Sequence, residues 1–317
     1  MSLRALIVTP YADTAEFRRW TASRMLLRGL DELEIGWTLH QPWNALDVRV
    51  FDVIVCWSYG YRINNFPQWA RRFEASIAGT GTPVVNSVRD GMTDHHYCLT
   101  RWAAAGVPCA RVQRMVSLDD ISLDYPLILR IDGQHQGRDM YLARDADEAR
   151  RIVASRRAEN RRPLNLAIEY VNTRHRDGRY RKWRSYVIGG QVMPHLLSVA
   201  SEWTVNGSSS VTSPQFIAER QAFWRDGEPE PELLIRAASA LASDAIALDY
   251  HRDEDGRYTF FEGNRNFIIA GDPGTDLEKF LLGSGRSHAD LARANDRLSR
   301  LLGQLVADRA TVSRGEM

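Results

Sequence analysis

The first hundred residues alternate short apolar runs with amphipathic stretches, and this rhythm restricts the fold more than any other feature of the chain. Residues 5–8 read as a strand, 14–30 as a helix and 34–39 as a second strand. Residues 51–57 form a continuous apolar strand, 67–77 a helix and 83–86 another strand. Strands this apolar need cover on both faces, so the βαβ order predicts a small parallel sheet flanked by helices. At 317 residues the chain is too long for one small core, and two or three subdomains are expected. No G-x-G-x-x-G follows the first strand, so a Rossmann dinucleotide site has no support.

Beyond a helix predicted over 93–105, stopped by Gly106 and Pro108, the pattern changes. A strand over 125–131 leads into the loop Asp132-Gly-Gln-His-Gln-Gly-Arg138, and a second strand follows over 140–142. A charged helix over 145–157 and a strand over 166–171 come next. Residues 181–188 and 191–198 pair as a hairpin around Gly189-Gly190. The Ser-, Thr- and Gly-rich stretch 201–214 reads as a mobile loop and 231–245 as an alanine-rich helix. Residues 247–251 and 258–262 form a second hairpin around Glu254-Asp-Gly256. Ser287 and Asp290 have the spacing of a capping box, with Leu291, Leu298, Leu302 and Leu305 at helical spacing behind it. That stripe reads as core-facing, with a contact between copies of the chain as its other use.

A formal net charge of +1 argues against a surface that coats nucleic acid. Cys56, Cys98 and Cys109 are odd in number and form no zinc-binding spacing, which fits a reducing compartment. The N-terminal run lacks the pattern of a signal peptide, and no window approaches the roughly 20 apolar residues of a membrane span. The expected setting is cytoplasmic, with neither nucleic acid nor membrane as partner. Lys182 and Lys279 are the only lysines, so arginine is the expected cation of any phosphate site.

The sharpest constellation for chemistry is Asp249 with Glu262 and Asn264, on two strands joined by a hairpin. Both acids sit inside apolar runs, Ala-Leu-Asp-Tyr and Phe-Phe-Glu-Gly-Asn, where a carboxylate is costly unless paired or bound to metal. Mg²⁺ takes such hard oxygen ligands together with phosphate oxygens. Asp253, Glu254 and Asp255 read instead as solvated acids of the turn. Arg130 ends an apolar strand and is expected to project toward anionic oxygens, the alternative being a salt bridge to Asp132 or Asp139. Gly133 and Gly137 would let backbone N–H groups approach phosphate, or simply form a hairpin turn. His135 is divided between phosphate donor and loop surface. Arg184 alternates with Tyr186 and Ile188 on one strand face, which points it into a cleft, whereas Arg181 and Lys182 read as solvated. His195 and Trp203 flank the predicted mobile loop and read as a satisfied histidine and a core tryptophan.

The segment IALDYHRDEDGRYTFFEGNRNF resembles the metal-binding end of the ATP-grasp superfamily of glutathione synthetase and D-alanine–D-alanine ligase. PVVN, a helix, AAGVP, YPLILRIDGQHQGRDMYLARDADEA, LAIEYV and YRKWRSYVIGGQV resemble, in order, the remaining parts of that domain. The resemblance spans roughly residues 83–272 and rests on the ordered set. It implies an α/β chain with α+β lobes: an N-terminal βαβ domain over 1–90, a small ATP-grasp lobe over 91–172 and a C-terminal lobe over 173–317.

The resemblance further implies that Asp249, Glu262 and Asn264 hold two Mg²⁺ ions, Mn²⁺ being an acceptable substitute, with Glu262 bridging. Arg130, Gly133, His135 and Gly137 would contact ATP phosphates, and the backbone of Glu169, Tyr170 and Val171 would read adenine. Glu169 and Asp177 are the ribose candidates, with solvent-facing positions as the alternative for both. Arg184 would stabilise the transferring phosphoryl group, and Arg265 would hold the acyl substrate. The implied reaction is ATP-dependent activation of a small-molecule or peptide carboxylate as an acyl phosphate, then attack by an amine. Alternatives are a small-molecule kinase and an inactive nucleotide-binding module serving a partner protein. Two departures stand out: histidines occupy the region of the usual small-lobe lysine, and Arg265-Asn-Phe follows Asn264 in place of a small Ser/Thr-Pro-Gly segment.

Overall fold

A computed structural model of the chain describes residues 2–11, 13–57, 66–87, 94–134, 137, 139–205, 210–265 and 276–315. The first layer holds β1 (Arg4–Val8), α1 (Thr14–Phe17), α2 (Thr21–Glu32), β2 (Gly36–His40), β3 (Val53–Cys56), α3 (Phe66–Ile77) and β4 (Val84–Val85). Its four strands are all parallel, in the order β2-β1-β3-β4. Every residue of β3 and all but the first of β1 are buried, as continuous apolar runs require. The single helix expected over 14–30 is two helices. Trp20 adopts extended backbone (φ −102°, ψ 129°) and packs onto the core beneath α2, which breaks the helix there.

The second layer follows α4 (His95–Ala104), whose N-cap Asp94 accepts from the Tyr97 N–H at 2.6 Å. It comprises β5 (Val112–Arg114), β6 (Leu127–Arg130), β7 (Met140–Ala143), α5 (Ala146–Ala158) and β8 (Leu166–Glu169). These strands are antiparallel in the order β5-β8-β6-β7. The third layer contains β9 (Tyr180–Ile188), β10 (Gln191–Ala200), α6 (Pro214–Asp226), α7 (Pro231–Ala240), β11 (Ala245–Arg252) and β12 (Tyr258–Asn264). It is antiparallel in the order β10-β9-β11-β12, and α8 (Asp276–Gly283) and α9 (His288–Gly315) complete the chain. Three sheets thus occur in sequence, the first parallel and the others antiparallel.

Helix α9 carries the leucine stripe. Leu291, Leu298, Leu302 and Leu305 are buried in one core with α2, the first sheet and the near ends of β9 and β11. The approach of α9 to α2 needs glycine on both sides. A Cβ on Gly29 would lie 2.0 Å from the Ser299 carbonyl oxygen, and one on Gly303 would lie 2.4 Å from that of Gly29. The first and third layers are also stitched by Asn86, whose amide oxygen accepts from the N–H groups of Asp244 (3.0 Å) and Ala245 (2.9 Å). Among the described residues, no helix is long and apolar enough to cross a membrane.

Candidate functional site

Strand register places the central residues. Asp249 of β11 stands opposite Glu262 of β12 on one side and Arg184 of β9 on the other. Asn264 lies two residues beyond Glu262, on the same face of the same strand. A bulge follows Asp249, between the pairs Asp249/Glu262 and Tyr250/Phe260, and shifts the register beside the acidic pair. Asp249 is 1% exposed. Its Oδ1 accepts from Arg184 Nε, while Oδ2 accepts from Arg184 Nη2 at 2.8 Å and lies 3.1 Å from Lys182 Nζ. Burial opposes ionisation of this carboxyl, but Arg184 and then Lys182 outweigh it and hold the group below the usual carboxylate range.

Lys182 was expected in solvent, and so was Arg181; neither is there. Lys182 has the same strand parity as Arg184 and so shares its face. Arg181 points to the opposite face, buried, where it is bridged by Asp177 (2.8 Å) and Glu219 (2.7 Å).

The second layer approaches the same carboxylates through its glycine loop. Arg130, at the end of β6, is 5% exposed and donates from Nη2 to the Gln134 carbonyl, while its Nε has no hydrogen-bond partner. Both alternative partners are engaged elsewhere: Asp139 pairs with Arg156 at 2.5 Å, and Asp132 lies 3.4 Å from Arg114. Burial lowers the Arg130 pKa, with Glu262 and Asp132 acting against it. Sequence reasoning also missed His95 at the start of α4. Its backbone N–H donates to Asp132 Oδ1 at 3.0 Å, and its ring lies between the layers, with Nδ1 4.0 Å from Asp132 Oδ1 and Nε2 3.9 Å from Glu262 Oε1. Gly133 has φ +75° with open space around its Cβ position, and Gly137 has φ +71°. His135 lies outside the described residues.

Other candidates are placed apart from this centre. The Glu169 carboxylate is occupied by Arg111, through its backbone N–H and guanidinium at 3.2 Å each. The backbone N–H groups of Glu169 and Tyr170 donate to Arg111 and Pro126 carbonyls (2.9 and 3.1 Å). No hydrogen bond to the Val171 backbone occurs among the described residues. Asp177 is held by Arg181 and the Arg179 N–H, with Arg181 the main cause of a pKa of about 2. Arg265 is a correction. Its guanidinium donates to Ser243 Oγ (2.7 Å) and to the carbonyls of Ser87 (2.5 Å), Leu241 (2.7 Å) and Ala242 (2.8 Å). Four of five donors close the C-terminal end of α7 and tie it to the first layer, so the group is not available to hold a substrate.

No protein-family model matches this chain, and comparison with curated proteins finds no match. Solved structures do match, over the whole length. D-alanine–D-alanine ligase from Bacillus anthracis complexed with ATP aligns over 100% of both chains, with a TM-score of 0.54 and 13% identity. A RimK domain ATP-grasp protein from Sphaerobacter thermophilus aligns over 96% of this chain and 99% of its own, with a TM-score of 0.53 and 16% identity. The chain has the ATP-grasp fold. D-alanine–D-alanine ligase from Coxiella burnetii is a further match, at a TM-score of 0.54 and 11% identity over 99% and 98% of the two chains.

Within this ATP-grasp fold, the carboxylate pair suits a hard cation. Among the described residues no group of three His, Cys, Asp or Glu side chains is placed to hold a metal. The donor set is two carboxylates and the amide of Asn264, all hard oxygens. A carboxylate has about four acceptor positions, so the three cationic contacts to Asp249 leave one for a metal. Glu262 opposite it supplies the second. The residues fit the ion.

Proposed function

We propose that this chain is an ATP- and Mg²⁺-dependent ligase that activates a substrate carboxylate as an acyl phosphate and transfers the acyl group to an amine. The observation that carries the reading is the convergence on Asp249 and Glu262 of cations from two sheets, Arg184 and Lys182 from one and the under-partnered Arg130 from the other. Three cations around two carboxylates leave one net positive charge, and the Mg²⁺ ions expected there would supply the rest of what the polyphosphate of ATP needs. Asp249, Glu262 and Asn264 would hold Mg²⁺, which when bound neutralises phosphate charge.

The carboxylate oxygen of the substrate attacks the γ-phosphorus, the β–γ bridging bond breaks and ADP leaves. Arg130, Arg184 and Lys182 face the charge that spreads over the transferring group. The amine then attacks the acyl carbon, phosphate departs and the amide forms with loss of one proton. Open space at Gly133 would let the loop backbone approach phosphate, with Gly137 assigned the same role, and Val171 would read adenine. The engaged carboxylates of Glu169 and Asp177 drop out of the ribose assignment.

The test is substrate-dependent release of ADP and phosphate across a panel of amino acids and short peptides, with hydroxylamine trapping any acyl phosphate. Hydroxamate formation with matched ADP and phosphate is expected. ADP release with the phosphate retained on a hydroxyl would make the chain a kinase instead.

A further inference from the structure

Among the described residues, one buried cation near the active face, Arg286, has no acid paired with it. Arg286 lies in the turn between α8 and α9 and is 8% exposed. Its Nη1 is buried without a hydrogen-bond partner, and no ion pair to it forms among the described residues. The nearest acid named by its field, Asp290, is committed elsewhere: its Oδ2 accepts from Ser287 N–H and Oγ (2.8 and 2.7 Å) and its Oδ1 from Arg293.

The guanidinium is nevertheless positioned with care. It lies over the Trp224 ring at 4.1 Å from the centroid, and the indole N–H of Trp224 donates to the His195 carbonyl at 2.9 Å. The turn reaches this place because Gly285, at φ +93°, lets it press on α6, where a Cβ would meet Ile217 Cγ2 at 2.5 Å.

Beside it is a second unsatisfied donor or acceptor. His195 is 1% exposed, its ring stacks on Tyr186 at 4.6 Å, and its Nδ1 has no hydrogen-bond partner. Burial first, then the positive charges of Arg286 and Arg184, push its pKa well below the ordinary value, so the ring is neutral. Tyr186 is two residues from Arg184 on the same strand face. The sheet face thus runs from the Asp249–Arg184 pair to Tyr186 and His195, with Arg286 at its far end.

We propose that Arg286 and His195 Nδ1 form an anion subsite beside the ATP centre, which binds a carboxylate of the substrate. A buried guanidinium without a counterion is costly, and its planar fork matches a carboxylate oxygen pair. The inference deepens the ligase reading and rests on it for the position of ATP. It adds to that reading a carboxylate besides the one that is activated, carried by the acyl donor or by the amine.

The test is thermal unfolding of the full chain with saturating Mg-ADP, titrated with succinate, with alanine, and with sodium chloride at matched ionic strength. Succinate, alanine or both should give a saturable rise in Tm that chloride does not reproduce. A response to succinate alone places the carboxylate on the acyl donor, and one to alanine alone on the amine. Arg286→Met keeps length without charge and should shift the response midpoint by about tenfold or more, the scale of one charge-assisted contact. Its Tm without ligand should be unchanged or higher, because an unanswered buried charge is gone. If that variant does not fold, Arg286→Lys should retain the response at a weaker midpoint. No carboxylate response in the wild type, or a full response in Arg286→Met, overturns the subsite. A chain that ignores Mg-ADP yet shows an Arg286-dependent carboxylate response keeps the subsite and removes the ATP reading.

Discussion

Lys182 brings its ammonium to 3.1 Å from Oδ2 of Asp249, the same oxygen that accepts from Arg184 Nη2. One of the two lysines in the chain is therefore committed to the most buried acid of the site. Removing either cation would leave a charge out of water with less to balance it. With a polyphosphate present, the same cations have a second anion within reach, so the cluster is stable without nucleotide and electrostatically prepared for it.

Mg-ATP should stabilise the fold. A ligand at 100 times its dissociation constant contributes roughly 2.7 kcal/mol, and each kcal/mol shifts a large domain by roughly 2–4 °C. A thermal scan with millimolar Mg-ATP reads this directly, and GTP should do less if the Val171 backbone reads adenine. No shift with either would remove the nucleotide assignment.

Glu262→Gln should fold and bind nucleotide weakly while ADP formation falls by roughly 10²–10³-fold, the scale of one lost transition-state contact. Asp253→Asn is the control, with a refinement: Asp253 accepts from the N–H groups of Asp255 and Arg257 at 2.9 and 2.8 Å. It organises the turn instead of merely facing water, so a small loss of Tm with unchanged turnover is expected. Normal turnover in Glu262→Gln would sink the metal assignment.

Arg130→Ala should weaken both ATP binding and turnover, and Arg130→Lys should restore part of each. The alanine variant also loses the donor to the Gln134 carbonyl and leaves buried space, so a modest fall in unliganded Tm is expected beside the kinetic loss. A large drop in Tm with intact kinetics would make the residue structural.

Arg265→Ala should act on stability. It strands the carbonyls of Ser87 and Ala242 and leaves Leu241 only the Ser243 hydroxyl, and a loss of about 2 kcal/mol or more follows from the unsatisfied acceptors. Denaturant unfolding measures it. Any folded fraction should keep its KM for the acyl substrate, and a selective rise in that KM would restore the discarded role.

Mild acid should weaken the fold through a buried histidine. His251 is buried, donates from Nδ1 to the Arg181 carbonyl at 3.2 Å, and has its pKa lowered by burial to about 4. The unfolded chain takes up that proton near pH 6.5, so the native state binds fewer protons between the two values. The contribution is fully present above about pH 6.5 and is lost as pH falls toward about 4, to the order of 3 kcal/mol. Tm measured from pH 7 to 4 should fall, and His251→Gln should flatten the slope. An unchanged slope in that variant would assign it to His175 or His195, whose pKa values burial also lowers.

Much of this architecture was legible because it obeys a short period. The apolar runs of β1 and β3, the Gly189-Gly190 hairpin, the Ser287–Asp290 cap and the leucines of α9 all announce themselves locally. Asp249 and Glu262 were legible as acids in apolar strands, which polarity alone makes conspicuous. Lys182 was missed although the alternation that aimed Arg184 inward reaches it two residues earlier. Helix α6 was missed because its buried positions, Phe216, Arg220 and Phe223, include a guanidinium and no clean stripe. Arg265 and Glu169 have partners that only the tertiary fold brings near, over 178 residues in the case of Ser87 and 58 in that of Arg111. The partners of Asp177, Arg179 and Arg181, lie two and four residues away, and the strand alternation that turns Arg181 inward was not applied to it.

The Gly29–Gly303 approach bears on the order in which a nascent chain can fold. Residues of α2 leave the ribosome well over 200 residues before the helix they fit so closely. Until α9 arrives, Leu26, Leu27 and Leu30 share in a core that lacks one wall. The layer that holds α2 must therefore wait in a partly closed state until α9 has been made, a period when its apolar surface is open to chaperones.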